Sequence, residues 1–454
     1  MQYQGISYEE AKAIREKNIA HSIPAMYKEP IMITQGFMQW VWDQTGKRYL
    51  DMYGGIVTVS VGHCHPKVTA AAIDQLQKLW HVTNIYLHPK LHEYAEKLTN
   101  RLPGDLKVCF FCNSGSEAND LAMMLARIYT GAFDIISLRN AYLGNSPYTT
   151  SLCGLGSWKH SFPNGFGVHH AMNPDPYAGI WGGSNCRDSP IQTDRECNCG
   201  VGKCQACDKY ISELENLLSS SVPNKVAGMF AESIQGVGGT VQYPKGYLKK
   251  AQEIIKSHGG VFISDEVQTG FGRTGEFWGF QSHAVTPDIV SLAKGIGNGF
   301  PLAAVITRHE ISDCLNHALK FNTYGGNPVA CAIGSAVLDV IDEDKLMENC
   351  RHVGNHLLHS LSKLRKKYEI VGDVRGKGLM IGVEMVTDKE SRKPLSKSAM
   401  DTIFEDTKNY GLLLGLGGHH KNVFRIKPPM CITRADADFC VEVLEQAISD
   451  FMKK

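Results

Sequence analysis

The chain has 454 residues, longer than one ordinary domain, and no linker rich in proline, serine or charge divides it. Its 47 Lys and Arg residues balance 46 Asp and Glu residues, which gives no indication of nucleic acid or an anionic membrane as a partner. No apolar run approaches the roughly 18 residues that a membrane span needs, so we expect a soluble protein with a large core.

The N-terminal region shows signals for one helix and one hairpin. Ser7 and Glu10 form a capping-box pattern, which predicts a helix over residues 11–19. Residues 38–42 alternate in polarity, and the turn at 43–46 leads into residues 48–51, which is typical of a β-hairpin. No secretory or Arg-rich leader precedes the helix. We expect this region to belong to a small outer domain.

Predicted strands and helices alternate along the middle of the chain. Pro66 opens a helix to about Trp80, and the alternation continues to about Asp342. This order predicts an α/β domain with a mostly parallel sheet and helices on both faces. From Glu343 the chain changes to long charged helices and short strands. We therefore predict a large domain over residues 61–342 and a small α+β domain formed by residues 1–60 and 343–454.

A glycine-containing turn follows the predicted strand at 106–112 and precedes a helix over about 117–129. The start of a helix exposes unpaired backbone amides, and Gly115 lets a phosphate approach them closely. Ser114 and Ser116 add hydroxyl donors on either side. Such turns are common without a ligand, but this one predicts a phosphate site.

An acid and an amine follow two later strands. The apolar run at 261–265 ends in Asp265 and Glu266, and Lys294 follows the next apolar run. In open α/β sheets the carboxyl ends of strands form the ligand crevice. A lysine beside an acid suits pyridoxal phosphate, which needs an amine for a Schiff base and an anion for its ring nitrogen. Taken singly, each residue could instead cap a helix or lie in a solvated turn.

Four motifs together resemble the class III pyridoxal-phosphate aminotransferases, in the order of that family and over nearly the whole chain. They are NSGSEAN at 113–119, DEVQTGFGRTG at 265–275, AKGIGNGFP at 293–301 and NTYGGNP at 322–328. Residues 55–66 and 372–382 are most similar to the alanine–glyoxylate branch of the family, which is mitochondrial. The resemblance implies the fold-type I transferase architecture.

The resemblance also implies roles for individual residues. Lys294 would bind the cofactor and then move a proton from the substrate to it, while Asp265 keeps the ring nitrogen protonated. The other expected cofactor contacts are Gln268 at the ring hydroxyl, Val267 and Tyr142 on the two ring faces, Ser114, Gly115 and Ser116 at the phosphate, and Thr323 at the phosphate of the neighbouring subunit. Arg425 is expected to bind the substrate carboxylate bidentately.

The chain departs from the family pattern at three positions. Leu143 replaces a histidine after the stacked aromatic, which puts in doubt a polar contact near the cofactor. Ser233 stands where relatives commonly have proline, which we interpret as a change in backbone stiffness more than in chemistry. Val237 replaces the glutamate that pairs with the arginine in ornithine and γ-aminobutyrate aminotransferases. Arg425 is therefore expected to be free for small α-amino and α-keto acids.

The resemblance thus implies an enzyme that moves an amino group from alanine to glyoxylate, giving glycine and pyruvate, with β-aminoisobutyrate or dimethylarginines as further donors. It implies a homodimer with shared active sites, or a homotetramer, in the mitochondrion, with the leader outside this sequence. A related phospho-lyase acting on phosphoethanolamine or phosphohydroxylysine is the alternative. Those enzymes tend to carry lysine at the position of Arg425. A non-catalytic scaffold is disfavoured by Lys294, and a dinucleotide enzyme by the absence of a suitably spaced acid.

Fourteen cysteines in a chain of this length are more typical of a reduced compartment than of a disulfide scaffold. No metal is expected among the catalytic motifs. Outside them, Cys197, Cys199, Cys204 and Cys207 follow Cys186 closely in the sequence and could form a tetrahedral zinc site. Against this, Cys-x-Cys is not the usual zinc spacing, and the segment lies away from the catalytic motifs. Both alternatives remain open at the level of sequence.

Overall fold

The computed structural model describes residues 3–23, 25–163, 165–200 and 203–453. The N-terminal part begins with α1 (Tyr8–Asn18), which Ser7 and Glu10 close with the expected capping box. The hairpin prediction is also confirmed, since β2 pairs antiparallel with both of its neighbours. The elements of this part are β1 (Ile33–Phe37), β2 (Trp40–Asp43), β3 (Arg48–Asp51) and the short helix α2 (Gly54–Val57).

Helices surround the strands of the middle part of the chain. The helix at Pro66 ends at Leu76, four residues before the predicted end, where the Gln75 side chain donates to the Leu79 carbonyl at 2.9 Å. The helices of this part are α3 (Pro66–Leu76), α4 (Pro89–Thr99), α5 (Gly115–Thr130), α6 (Gln205–Ser221), α7 (Tyr247–Ser257), α8 (His309–Ser312) and α9 (Pro328–Glu343).

The central sheet has seven strands in the order β4-β10-β9-β8-β7-β5-β6. The strands β5 to β9 run parallel, whereas β10 is antiparallel to both β4 and β9. The prediction of a mostly parallel sheet in an α/β fold is confirmed. The strands are β4 (Val108–Cys112), β5 (Ile135–Leu138), β6 (Val168–Ala171), β7 (Gly228–Glu232), β8 (Val261–Asp265), β9 (Ile289–Leu292) and β10 (Ala303–Thr307).

The C-terminal part forms a second, antiparallel sheet in the order β11-β12-β15-β14. One of its strands, β13, instead pairs parallel with β3, so the two ends of the chain share a third sheet. The elements are α10 (Leu346–Lys367), β11 (Val371–Lys377), β12 (Met380–Met385), α11 (Lys397–Asn409), β13 (Leu412–Leu413), β14 (Gly415–Gly417), β15 (Val423–Ile426) and α12 (Arg434–Lys453).

Two further expectations concern the chain as a whole. All fourteen cysteines are free thiols, as the sequence predicts. Within the described ranges, every helix is too short or too polar to cross a lipid bilayer.

Candidate active site

Asp265 and Lys294 lie at the carboxyl ends of two adjacent parallel strands, β8 and β9. Asp265 is buried, and its carboxylate accepts hydrogen bonds from the Asn119 side chain at 2.7 Å and the Val267 amide at 2.9 Å. Burial raises the pKa of Asp265, and these hydrogen bonds and Lys294 oppose the rise. Burial lowers the pKa of Lys294, an effect that Asp265 opposes. The two side chains therefore share one buried electrostatic environment.

The backbone of Lys294 adopts a left-handed conformation with φ of +52°. This region is uncommon for a residue with a side chain and costs free energy that the surrounding fold has to supply. In the described part of the chain, the Lys294 ammonium has neither a hydrogen bond nor an ion pair. A strained backbone thus presents an amine with no polar partner beside the acid.

Asn119 is a functional candidate that sequence reasoning missed. It is buried on α5, and its amide donates both to Asp265 and to the Leu143 carbonyl at 2.8 Å. The carbonyl oxygen of its side chain has no partner in the described chain. A signal existed, because Asn119 follows Gly115 by one helical turn and so lies on the same face of α5. Asn119 orients the Asp265 carboxylate.

The turn between β4 and α5 approaches the ends of β8 and β9 closely. A Cβ atom on Gly115 would lie 3.2 and 3.3 Å from the two methyl groups of Val267 and 3.6 Å from the Cβ of Ala293. Ser114 caps α5 by accepting the Glu117 amide. The hydroxyl of Ser116 accepts the Asn145 amide at 3.0 Å. The structure therefore brings Ser114, Gly115 and Ser116 next to the acid and the lysine.

Tyr142 follows β5 on the other side of the crevice. Its ring is half-buried and packs edge-on against Trp158, with 4.8 Å between the ring centroids. Burial raises the pKa of Tyr142 to about 12, and Asp265 contributes to the rise. The Tyr142 amide donates to Glu232 at 3.2 Å. The Leu143 side chain lies in the core, and the polar contact at this position comes from its backbone carbonyl instead.

Arg425 enters the same region from β15 of the C-terminal sheet. Its guanidinium donates to the Tyr53 hydroxyl at 2.9 Å and to the Gln268 side-chain oxygen at 3.2 Å. The buried Nε atom has no partner, and Arg425 forms no ion pair with any carboxylate in the described ranges. Val237 contributes only its carbonyl nearby, which accepts the Gly418 amide at 2.9 Å. Residue 237 therefore brings no acidic side chain to the guanidinium.

Lys427 is a second residue that sequence reasoning did not single out. It is fully buried, and its amine donates to the Gln268 oxygen at 3.1 Å and to the Gly236 carbonyl at 3.3 Å. Burial lowers its pKa well below the usual value, with Arg425 as the next cause. Side chains two residues apart along a strand point to the same face, so residue 427 is expected on the face of Arg425. This two-residue repeat is the sequence signal by which Lys427 could have been found.

Ser233 extends one expectation from the sequence. Its hydroxyl donates to the buried Glu266 carboxylate, which also accepts the Gly279 and Phe280 amides at 2.7 and 3.0 Å. The serine therefore supplies a polar contact that proline could not, so the change also has a chemical part beyond the expected change in backbone stiffness. Glu266 is the shared acceptor of these three hydrogen bonds, and burial raises the pKa of its carboxyl group.

Thr323 is exposed and lies outside the crevice that holds the other predicted residues. Its loop is anchored by Asn322, which accepts the Asn113 side-chain amide at 3.1 Å and the Gly325 amide at 2.8 Å. Within the described chain, no hydrogen bond of the Thr323 hydroxyl is found. The remaining predicted residues, Ser114, Gly115, Ser116, Tyr142, Asp265, Val267, Gln268, Lys294 and Arg425, meet around one crevice.

The crevice combines the features that pyridoxal phosphate requires. A helix start and two hydroxyls suit the phosphate, the buried acid suits the ring nitrogen, and the amine suits the aldehyde. The Asn119 side-chain oxygen and the Arg425 Nε have no hydrogen-bond partner in the described chain, so both can bind a group that enters the crevice. This fold and this site define a fold-type I pyridoxal-phosphate transferase.

Comparison with known proteins gives the family. A model of the family described as aminotransferase class-III matches residues 23–448, and the chain belongs to this family of pyridoxal-phosphate enzymes. The chain is 54% identical over 454 residues to the Homo sapiens protein named alanine–glyoxylate aminotransferase 2, mitochondrial, covering 100% of this chain and 88% of that one.

Two solved structures are similar over the whole chain. An amine transaminase from an uncultivated Pseudomonas species in its pyridoxal-phosphate-bound form matches with a TM-score of 0.85 and 30% identity, covering 99% of this chain and 100% of that one. A phospholyase from Arthrobacter in complex with phosphoethanolamine matches with a TM-score of 0.85 and 31% identity, covering 97% and 99%.

Proposed function

We propose that this aminotransferase moves an amino group from alanine to glyoxylate, giving pyruvate and glycine. The observation that carries the proposal is the buried Arg425, which has no carboxylate partner in the described chain and lies close enough to Lys294 to influence its pKa. A carboxylate bound there places the α-carbon of a small amino acid next to the amine. The 54% identity to the human enzyme of that name supports the same choice.

When bound, pyridoxal phosphate supplies the electron sink that stabilises a carbanion at the substrate α-carbon. Asp265 holds a proton on the ring nitrogen, and Asn119 fixes the orientation of its carboxylate. Val267 and Tyr142 would hold the ring from its two faces, and Gln268 would bind its hydroxyl. Ser114, Gly115 and Ser116 would hold the phosphate. These assignments rest on the placement of the side chains around one crevice.

Lys294 has two tasks in this proposal, binding the aldehyde and moving a proton at the α-carbon. Both tasks need the neutral amine for part of the cycle. Burial favours that form, because it lowers the pKa of Lys294 from the value of an exposed lysine. Asp265 opposes this effect, because its carboxylate favours the charged form of the amine.

Arg425 also determines which substrates are accepted. Its hydrogen bonds to Tyr53 and Gln268 hold the guanidinium in place, and Nε remains available. Since Val237 offers no carboxylate, it does not compete with a substrate carboxylate for the guanidinium. Alanine, pyruvate and glyoxylate each carry a carboxylate next to the reacting carbon, as this arrangement requires. As further donors we propose dimethylarginines, which are also α-amino acids, and β-aminoisobutyrate, whose amine lies one carbon further from its carboxylate.

We also infer that the active site is completed in a homodimer, or in a homotetramer built from such dimers. We name one exposed surface the apolar strip; it consists of Trp80, Ile85, Tyr86, Leu87, Leu319, Phe321 and Tyr324. The His81 and Tyr324 rings lie 5.8 Å apart, and Asn84 and Phe321 line one open groove of about 860 Å³, so the two parts of the strip adjoin. Large exposed apolar patches mark protein interfaces. Thr323 lies within the strip, positioned to reach a neighbouring subunit.

The pairing of β13 with β3 supports a division in which residues 1–60 and 343–454 form the small domain and residues 61–342 the large one. We propose that the protein acts in the mitochondrion, since the human relative carries that location in its name. The free state of all fourteen thiols agrees with a reducing compartment.

The experiment is a visible absorption spectrum of the purified protein before and after addition of alanine. We expect a cofactor band that shifts with alanine and returns with glyoxylate, because the two half-reactions convert the cofactor in opposite directions. A band unaffected by alanine contradicts the proposal. A mutated control, Lys294→Ala, should bind cofactor without showing the cycle.

A phospho-lyase is the second candidate, and Lys427 is the observation that favours it. Its buried amine beside Gln268 could hold a phosphate group, and a phospholyase is among the similar structures. Arg425 fits a carboxylate better, because its planar fork matches two oxygens. Release of inorganic phosphate and acetaldehyde from phosphoethanolamine, without a response to alanine, would establish this candidate instead.

A further inference from the structure

A segment between β6 and α6 takes no part in the proposed transamination, yet it brings four cysteines together. They are Cys186, Cys197, Cys199 and Cys204. The set differs from that predicted from the sequence. Cys207 is buried in α6 with its sulfur 3.9 Å from where a Cβ of Gly246 would lie, and Cys186 takes its place in the cluster.

The separations of the sulfur atoms match a tetrahedral metal site. The sulfur of Cys186 lies 3.5 Å from that of Cys197 and 3.9 Å from that of Cys199. The sulfurs of Cys186, Cys199 and Cys204 all lie within 4.8 Å of one another. Four thiolates at the usual Zn–S distance of about 2.3 Å are separated by about 3.8 Å along each tetrahedral edge. Cys197 contacts Cys186 but is not part of this mutually close trio, so its sulfur has to move toward the trio to complete the tetrahedron.

The backbone around the cluster favours negatively charged sulfur. The Cys199 amide donates to the Cys197 sulfur and the Gln205 amide to the Cys199 sulfur, each at 3.2 Å. Cys204 is the N-cap of α6, a helix of 17 residues, so its sulfur lies at the helix N-terminus, although in the described chain it accepts no capping hydrogen bond. Amide donors and a helix N-terminus stabilise thiolates, as they do around structural metal sites.

The chain fold holds the ligands in place without a metal. The Ser184 amide donates to the Arg195 carbonyl at 2.8 Å, which brings Cys186 back onto Cys197. Gly183, with φ of +148°, allows this approach, since a Cβ there would lie 2.4 Å from the Cβ of Cys197. The Arg195 guanidinium binds the carbonyls of Tyr177, Gly179 and Ile180. Such preorganisation lowers the cost of binding an ion.

We propose that Cys186, Cys197, Cys199 and Cys204 bind one Zn²⁺ ion in a tetrahedral Cys₄ site. On binding, each thiol releases its proton to solvent and each sulfur forms one bond to zinc, with no change of oxidation state. All four ligands come from protein, which leaves no open position and makes the site structural. The site lies apart from the crevice of Asp265 and Lys294.

The role of the ion is to hold the segment onto the C-terminal sheet. Arg187 directly follows Cys186, and its buried guanidinium binds both oxygens of Asp373 on β11, at 2.6 and 3.0 Å. Arg375, which also contacts Asp373, donates to the Gly239 carbonyl at 2.7 Å in the loop that follows β7. A metal bond to Cys186 would therefore also restrict Arg187, and with it the ionic network of Arg187, Asp373 and Arg375 that connects the two sheets.

The test is elemental analysis of the full-length protein purified without chelators. We expect about one zinc per subunit, and a loss of most of it in Cys199→Ser and in Cys204→Ser. The matched control is Cys207→Ser, which changes a cysteine of the same segment outside the cluster and should keep the zinc. Replacement by Co²⁺ should give the intense near-ultraviolet absorption of cobalt thiolates.

Zinc far below one per subunit overturns the proposal, as does equal zinc loss in Cys207→Ser or a Cys186–Cys197 disulfide found by mass spectrometry. Should the serine variants fail to fold, the wild type still decides the matter. Titration with a thiol reagent should release one zinc as four protected thiols react. Release before those thiols react would contradict the assignment. Because transamination does not enter this measurement, its result is separate from the proposed function.

Discussion

Arg425 is the residue on which the proposed substrate specificity depends. The guanidinium is buried, held by Tyr53 and Gln268, and has no carboxylate partner in the described chain. Replacement by Gln keeps a polar side chain but removes the charge and the bidentate fork. Hydrogen bonds to charged groups contribute about 1.5–3 kcal/mol each, so kcat/KM for alanine should fall about 10- to 100-fold, mainly through KM.

The control for Arg425→Gln is an amine donor without a carboxylate, for which the guanidinium has no partner. Its kcat/KM should change little or rise. An unaltered KM for alanine in the variant would remove Arg425 from the substrate site.

Glu232 provides a prediction about pH. It is buried, pairs in register with Asp265, and has its pKa raised to about 7, first by burial and then by Asp265. The folded apoprotein keeps the proton that the unfolded chain loses above the ordinary pKa of 4.5. Stability should therefore decrease as pH rises from about 4.5 to 7, by about 3 kcal/mol from this group.

The measurement is the melting temperature of cofactor-free protein at several pH values for wild type and Glu232→Gln. The variant has no proton to lose, so its melting temperature should decrease less between pH 5 and 8. Parallel pH profiles for the two proteins would contradict the assignment. The Tyr142 and Gly236 amides donate to different oxygens of Glu232, so the single glutamine oxygen can still accept one of these two hydrogen bonds.

At the scale of elements, the turn between β4 and α5 has to fit between Val267 and Ala293. The substitution Gly115→Ala places a Cβ 3.2 and 3.3 Å from the Val267 methyls, closer than ordinary contact. Either the turn or Val267 has to move, and both belong to the proposed cofactor site. We expect about a 10-fold weaker affinity for pyridoxal phosphate, equivalent to about 1.4 kcal/mol.

Titration of the apoprotein with the cofactor, followed by absorbance, measures this affinity. The matched control is Gly156→Ala, because a Cβ there meets no atom within 4 Å. It should bind the cofactor as the wild type does. Equal affinities for all three proteins would show that the turn does not contact the phosphate.

The elements that carry the site could be predicted because each has a local signal. The apolar run at 261–265 ends at an acid, and the Ser-Gly-Ser turn precedes a helical pattern, so both were located to within a few residues. The antiparallel direction of β10 also has a local signal in the sequence. Residues 293–302 are too few for the helical crossover that a parallel strand needs.

The contacts between distant segments were beyond local reasoning. Asn119 reaches Asp265 across 146 residues and Gln268 reaches Arg425 across 157, and no spacing rule connects them. Cys186 likewise joins the cysteine cluster only because the chain folds back at Gly183. Such pairings depend on tertiary packing, and sequence patterns indicate the elements but not their meeting points.

At the scale of the molecule, the apolar strip predicts an assembly. A charge at Leu87, which is 89% exposed, would have to be buried in a dimer interface, so Leu87→Glu should dissociate the dimer. Activity should fall with dissociation, since Thr323 then reaches no neighbouring cofactor. Sedimentation or light scattering, with activity measured at the same concentrations, checks both effects.

Ile180→Glu is the control, because Ile180 is also well exposed but lies outside the strip. It should remain dimeric and active. A wild-type protein that is monomeric and active would contradict the proposed sharing of the site, and a Leu87→Glu variant that stays dimeric would move the interface elsewhere.

The position of β4 in the central sheet has a consequence for synthesis of the chain. Within the described sheet, the apolar strand Val108–Cys112 pairs only with β10, where Cys112 meets Ala303. Roughly two hundred residues separate the two strands, which at about 5–20 residues per second takes about 10–40 s to translate. During that time two phenylalanines lie on an unpaired strand edge of the nascent chain. We expect the newly made protein to depend on chaperones until β10 has left the ribosome.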